Sequence, residues 1–442
     1  MTPAGRLAAA IEVLVAVLER HRPVRLALKD WGERSRFAGS KDRAFVSGLV
    51  LDALRKRRSL AWRVGDEAPR ALGIGALALD WGWSGADVAA AAAGEPHGPG
   101  ALSEAETAAL AHSRSLEDAP PAVRGDYPDW LDASLARVFG EDRAEEGAAL
   151  ARRAPVDLRA NRLKGETERV LKTLQPFGAE PAGVLQDALR IAAPQAADRA
   201  APVESEPEFA KGWFEVQDLG SQIAAAAAGK VKGLQVLDLC AGGGGKTLAL
   251  GAAMGSTGQI YAYDSDSKRL SEVVTRGQRA GVRNLQTRSP RKPGALDDLA
   301  GRMDLVFVDA PCTGSGVWRR HPDAKWRLTQ EQLDRRIGEQ QQVLTEARRL
   351  TRPGGRIVYV TCSLLAQENE DQITAFLAAA PEFQVVSALD AVQASGLATP
   401  EGLLALGQRL TPGGFLRLSP RSAGTDGFFV AVLQSGASSR SV

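Results

Sequence analysis

Val236-Leu237-Asp238-Leu239-Cys240-Ala241-Gly242-Gly243-Gly244-Gly245-Lys246-Thr247 reads as a buried strand, a glycine loop and the start of a helix. Glycines there let backbone approach a ligand closely, although such a turn is also often no more than a tight connection. It is not the common phosphate-binding loop, which needs glycine five residues before Gly245, where Cys240 stands. It is not the dinucleotide fingerprint either, because Thr247 occupies the third glycine position. From Trp213 onward strands and helices alternate, which predicts an α/β domain with a mostly parallel sheet and helices on both faces. Strands are expected near 235–239, 259–264, 284–287, 305–309 and 356–361, with a closing hairpin from 415–418 and 427–433. The helix before the fifth strand should start at Thr329, with Gln332 completing a capping box, and stop at Pro353-Gly354-Gly355.

All three cysteines of the 442-residue chain end expected strands: Cys240, Cys312 in Asp309-Ala310-Pro311-Cys312, and Cys362 in Thr361-Cys362-Ser363. Parallel sheets build their sites at such carboxyl ends. Asp264 ends the next strand, 26 residues after Asp238, where a carboxylate can accept both ribose hydroxyls of an adenosine. A glycine loop without a pyrophosphate pattern, followed by this acid, suggests S-adenosylmethionine. Two thiols beside such a cofactor suit methylation of cytosine carbon 5, a poor nucleophile until a thiolate adds at carbon 6. An acid near ring nitrogen 3 must neutralise developing charge, and Asp309 is placed for it; a base must then remove the carbon 5 proton. Buried cysteines are usually inert, and Cys240 fits that description better than Cys312 or Cys362, which lie among Pro and polar residues.

The length suggests two or three domains, and 44% hydrophobic residues can bury a sizeable core. No apolar run approaches the ~18 residues that span a bilayer, and Glu12 and Glu19 break up the N-terminal apolar stretch, so a cytoplasmic protein is expected. Four scattered histidines and no Cys-x-x-Cys give no metal-site spacing. Residues 1–63 carry 14 Lys/Arg against 6 Asp/Glu, a net +8, leaving −6 for the remainder. Such a face is either a solvated helix surface or an attractor of phosphate backbones. Helical spacing such as Leu7, Ile11, Leu14, Val15 and Leu18 extends to about 136, broken near 95–100 and 118–121, with further helix over 127–153. Residues 156–210 read as a small α+β insert: strand at 156–161, helix at 166–174, strand at 183–191, then a loop rich in Ala, Pro and acidic residues. Residues 317–336 carry six Lys/Arg against three Asp/Glu, with Trp318 and Trp326 interleaved. That composition suits either an RNA grip at the cleft mouth or core anchors.

These motifs together resemble the Sun/RsmB-type RNA 5-methylcytosine methyltransferases. The similarity rests on Phe214-Glu215-Val216-Gln217-Asp218-Leu219-Gly220-Ser221-Gln222, the 240–247 loop, 309–316 with Arg319, Arg320, Pro322, Asp323, Lys325, Trp326 and Arg327, 358–362 with Glu368-Asn369-Glu370, and Thr425-Asp426-Gly427-Phe428-Phe429. It implies a Rossmann-like class I methyltransferase domain at 211–436. A small α+β RNA-binding subdomain would occupy 141–210, carrying Arg159-Ala160-Asn161-Arg162-Leu163-Lys164, and an all-α NusB-like domain 1–140, carrying Asp42-Arg43 and Leu54-Arg55. It further implies Cys362 as nucleophile, Cys312 assisting proton removal or product release, and Asp309 as the third catalytic residue. Cys240, Ala241, Gly242, Gly243, Gly244, Gly245, Lys246, Asp264 and Asp309 would hold S-adenosylmethionine. The implied partner is RNA, ribosomal RNA or transfer RNA, met by a monomer. Two departures stand out: Gly242-Gly243 replace the family's usual Ala-Pro, and no acid follows the third strand, where Ser289 is the nearest substitute. The rival expectations are a non-catalytic RNA-binding assembly factor, and a DNA cytosine methyltransferase that would rely on Cys312 and tolerate loss of Cys362.

Overall fold

The expected central strands are buried almost without interruption, as in Val236-Leu237, Leu305–Val308 and Ile357–Val360, the pattern of a sheet covered on both faces. This computed structural model describes residues 1–437. The chain divides into two compact units: the first holds Met1–Ala154, Ala193–Ala200 and Val317–Leu328, and the second Pro155–Ala192, Ala201–Gly316 and the chain from Thr329.

Within the second unit, β1 (Val156–Ala160), β2 (Glu180–Pro181), β3 (Ala188–Ile191) and β4 (Phe214–Val216) form an antiparallel sheet in the order β2-β3-β1-β4. Helix Thr167–Leu174 buries Val170 and Leu174 in one cluster with Leu158, Leu189 and Phe214. The larger sheet comprises β5 (Gln235–Asp238), β6 (Gln259–Tyr263), β7 (Leu285–Arg288), β8 (Met303–Asp309), β9 (Thr351–Thr361), β10 (Phe383–Val386), β11 (Leu416–Leu418) and β12 (Phe428–Ser435). Its order is β10-β12-β9-β8-β5-β6-β7, with β11 on β12. Strands β5 to β9 pair in parallel, and β12 runs antiparallel to β9, β10 and β11. The order reverses at β5, which has β6 on one side and β8 on the other. Such a reversal opens a crevice beyond the strands' carboxyl ends.

Two local expectations need correction. Helix Gln330–Leu350 has the anticipated Thr329–Gln332 capping box, but it ends at Leu350 and β9 runs straight on through Pro353-Gly354-Gly355. A Cβ on Gly355 would lie 2.8 Å from the Met303 carbonyl, so glycine permits a strand contact there instead of merely stopping a helix. Strand β10 was not expected; it is a four-residue edge strand, too short to show a period of two.

The first unit is all helical apart from its loops, built around Leu7, Leu14, Leu49, Leu54 and Leu72. Part of its basic charge is internal. Arg55 is buried on Asp52, while Arg43 donates to the Gly32, Ser35 and Ala38 carbonyls. The stretch Val317–Leu328 belongs to this unit, and of its two readings the structure supports core anchors for Trp318 and Lys325. Trp318 is 2% exposed and Lys325 1%. Lys325 Nζ donates to the Arg55 carbonyl at 2.7 Å and Trp326 Nε1 to the Leu54 carbonyl at 2.7 Å. These acceptors lie in the last turn of helix Ser40–Arg55, whose final carbonyls have no partner within the helix. A basic, aromatic segment thus answers a helix end, for the same donor chemistry that would answer phosphate. Among the described residues no helix is long and apolar enough to cross a membrane.

Candidate active site

Beyond β5 the chain turns on glycine. Gly242 and Gly244 have φ of +52° and +87°, conformations that side-chain-bearing residues rarely adopt. The Gly244 N–H closes the turn on the Ala241 carbonyl at 2.8 Å, and Arg276 Nη1 braces the Gly243 carbonyl at 2.6 Å. Asp264, one residue past β6, accepts the Gly242 N–H on Oδ2 at 2.7 Å and the Asp266 N–H on Oδ1 at 2.8 Å. The acid anticipated as a ribose acceptor therefore also fixes the loop. Helix Gly245–Met254 begins at once and carries Lys246 toward β8, where Nζ donates to Asp309 Oδ2 at 2.7 Å. Burial opposes the charge on Lys246, but the Asp309 carboxylate outweighs it and the pKa ends above the ordinary lysine value.

Cys312 and Cys362 follow β8 and β9, and their sulfurs lie 3.4 Å apart. The neighbouring thiol, then burial, then the Glu368 carboxylate raise the pKa of Cys312 well above the usual thiol range. The backbones after the two cysteines are tied: the Gly316 N–H donates to the Cys362 carbonyl at 2.9 Å and Leu364 N–H to Ser315 Oγ at 2.8 Å. Gly316 in turn presses on Gly427, where an added Cβ would meet the Gly427 oxygen at 2.3 Å.

Cys240, Asp264, Asp309, Cys312 and Cys362 line one open cleft of about 620 Å³. Ala241, Gly242, Gly243, Gly244, Gly245 and Lys246 are not on its surface; they form the loop and helix start behind Cys240, with Lys246 reaching the cleft wall through Asp309. Cys240 is held firmly as a thiol, first by burial and then by Asp238, Asp309 and Asp264. Ser289 is exposed, accepts the Arg291 N–H at 3.3 Å, and does not line the cleft.

Sequence reasoning missed three features. Arg336, Glu339, Val343 and Glu346 line the cleft from helix Gln330–Leu350, and their 3-4-3 spacing was the available signal. Tyr263 and Arg269 line it beside Asp264. Asp238 is fully buried; Oδ2 accepts the Thr247 hydroxyl at 2.6 Å, while Oδ1 has no partner. Burial pushes its carboxyl up to about 7. A carboxylate with a free oxygen at the root of a glycine loop, beside Asp264, fits a ligand that is both adenosine-like and cationic.

Residues 229–434 match the family described as 16S rRNA methyltransferase RsmB/F, and residues 127–198 match the ferredoxin-like domain of RsmF/B-like methyltransferases. The ribosomal RNA small subunit methyltransferase B of Klebsiella pneumoniae subsp. pneumoniae is 35% identical over 266 residues, covering 59% of each chain. The protein of the same name from Salmonella typhi is 33% identical over 258 residues, 58% of each. The match thus spans less than two thirds of these relatives' length. Among solved structures, PH0851 superposes with a TM-score of 0.69 at 23% identity, over 98% of this chain and 99% of that one. NSun6 from Pyrococcus horikoshii, solved with SFG, superposes with a TM-score of 0.59 at 19% identity, over 70% and 98%; both likenesses concern the fold. Residues 229–434 of this chain therefore belong to the RsmB/F methyltransferase family, with that family's ferredoxin-like domain at 127–198.

Proposed function

We propose that this chain transfers a methyl group from S-adenosylmethionine to carbon 5 of a cytosine in RNA, ribosomal RNA above all, through a covalent cysteine–cytosine adduct. The observation that carries the reading is the pair of thiols 3.4 Å apart after adjacent parallel strands, in one cleft with Asp264 and Asp309. The donor, when bound, supplies an electrophilic methyl on a sulfonium. Asp264 would accept its ribose hydroxyls, Asp238 would face its positive charge, and the loop from Cys240 to Lys246 would shape its pocket. Cys362 adds to carbon 6 as a thiolate, and its proton passes to Asp309, which can protonate ring nitrogen 3. The Lys246 ammonium keeps Asp309 in place. After methylation, the Cys312 thiol gives its proton to the departing Cys362 sulfur, and the thiolate left behind takes the carbon 5 proton. Both thiols are then restored, ring nitrogen 3 returns its proton to Asp309, and from there one proton is released to water. The raised pKa of Cys312 suits this order, since it must hold its proton until release.

In the proposed division, 1–140 and 141–210 grip RNA and 211–436 performs the transfer. Phe37 supports the first assignment: it is 76% exposed on a turn closed by the Ala38 N–H on the Ser35 carbonyl, between exposed Arg36 and Lys41. An aromatic face among cations stacks an unpaired base. The test is methyl transfer from radiolabelled donor to unmodified ribosomal RNA and to assembling subunits. Label on cytosine carbon 5, lost in Cys362→Ala, with a trapped protein–RNA adduct in Cys312→Ala, is the expected result. Folded protein that binds RNA but labels nothing would point instead to an assembly factor.

A further inference from the structure

Between Cys362 and helix Glu370–Ala379, two adjacent residues hold the cysteine loops: Asn369 that of Cys362, and Glu368 chiefly that of Cys312, with one further side-chain hydrogen bond to Ser363. Glu368, fully buried, accepts the Thr313 N–H on Oε1 at 2.8 Å, and its Oε2 lies 2.6 Å from Thr313 Oγ1. Gln340 Nε2, also fully buried, bridges Glu368 Oε1 at 3.0 Å and the Pro311 carbonyl at 2.9 Å. The residues on both sides of Cys312 are therefore held by one carboxylate and its amide partner. Asn369, 1% exposed, does the same for Cys362: Oδ1 accepts the Thr361 hydroxyl at 2.5 Å and Nδ2 donates to the Ser363 carbonyl at 2.9 Å. The dipeptide is itself pinned to β9, because the Tyr359 hydroxyl donates to the Glu368 carbonyl at 2.7 Å.

We propose that Glu368 and Asn369 form a bracket that sets the spacing of the two thiols, Glu368 acting as positioning residue for Cys312 and Asn369 for Cys362. The inference rests on the two-cysteine reading above and adds to it which residue governs which step. A buried carboxylate is an expensive way to hold a loop that an amide or an apolar contact could hold. Its charge has a consequence a neutral clamp lacks: it disfavours a thiolate on Cys312, keeping that proton in place until release. Asn369 is neutral, so it fixes the Cys362 backbone without opposing a thiolate there. The charged member of the bracket makes its backbone contact beside the cysteine that must stay protonated, and the neutral member makes its own beside the one that must ionise.

Two measurements test this. In a Cys240→Ser, Cys362→Ser background Cys312 is the sole thiol, and its alkylation by iodoacetamide is followed against pH. Glu368→Gln is expected to lower the alkylation midpoint by about one unit, because a buried negative neighbour is removed. A merely structural role would raise the rate at every pH and leave the midpoint where it was, which would overturn the electrostatic half. In the otherwise unsubstituted chain, single-turnover methylation separates adduct formation from release. Glu368→Gln should slow release about tenfold or more with formation within about threefold of wild type, and Asn369→Ala should do the reverse, consistent with the cost of small misplacements. Equal slowing of both steps by both variants would overturn the bracket. If Glu368→Gln fails to fold, Thr313→Val removes one contact with that carboxylate and should retain the release defect at smaller size. Wild-type protein that forms no adduct would sink the two-cysteine reading, and the alkylation shift would then decide the Glu368 assignment by itself.

Discussion

Lys246 in the second unit and Lys325 in the first are both buried, yet their surroundings drive them in opposite directions. Lys246 touches a carboxylate, Asp309, at 2.7 Å, which more than offsets its burial and holds it charged. Lys325 donates to a backbone carbonyl; burial dominates, Asp126 compensates only in part, Arg55 opposes, and the pKa falls to about 7. Asp126 has the complementary problem: burial raises its pKa despite Lys325 and the N–H groups of Arg58 and Ser59. The contrast separates a charge held by a carboxylate on the wall of an open cleft from one absorbed into packing. Composition alone treats the two lysines alike.

The most drastic way to break the contrast is Lys246→Met. It keeps length and apolar stem but leaves Asp309 without its cation, so methyl transfer should fall by roughly 100-fold or more, with adduct formation lost in step. Retained turnover would mean that Asp309 does not need the ion pair. Lys325→Met should change stability and leave turnover within about threefold. A lysine whose folded pKa lies below its unfolded value binds fewer protons when folded, so its contribution to stability rises with pH between about 7 and about 10 and is lost as pH falls through about 7. The melting temperature of wild type relative to Lys325→Met should therefore climb across that window. A flat difference would show that Lys325 is not depressed and that the comparison is misdrawn.

A smaller effect distinguishes the aromatics. Phe37→Ala removes an exposed ring and should weaken RNA binding by about tenfold, the order of one base stack, without moving the melting temperature. Trp326→Phe deletes the donor to the Leu54 carbonyl and should lower stability by about 1 kcal/mol, with RNA affinity unchanged. Reversal of these outcomes would restore Trp326 as the RNA contact.

The sheet and the cleft were legible because both obey short-range rules. Buried runs mark parallel strands, and in an order that reverses at β5, residues just past β5, β6, β8 and β9 must converge; Cys240, Asp264, Asp309, Cys312 and Cys362 did so. What remained illegible depends on partners far away in sequence. Nothing local to Val317–Leu328 says that its donors meet carbonyls at 54 and 55, more than 260 residues back. Glu368-Asn369 carried a motif but no hint that the two side chains part toward Thr313 and Thr361. The free oxygen of Asp238 is likewise a property of packing, not of the stretch that contains it.

The glycine loop gives the finest version of the comparison, between neighbours. Gly242 has φ +52°, and a Cβ there would meet the Arg269 guanidinium at 2.7 Å. Gly243 is outside the left-handed region, and its Cβ would meet only the ends of two flexible side chains, Glu272 at 3.3 Å and Arg276 at 3.5 Å. Gly242→Ala should cost about 1 kcal/mol in backbone strain and weaken donor binding, because the Gly242 N–H that anchors Asp264 must shift. Gly243→Ala should stabilise by about 0.5 kcal/mol, chiefly by restricting the unfolded chain. Donor affinity by calorimetry and melting temperature by scanning read both variants. If Gly242→Ala proves the more stable, the loop relaxes out of the left-handed turn, and the two glycines are then slack in the chain that alanine and proline could fill as in the family's usual loop.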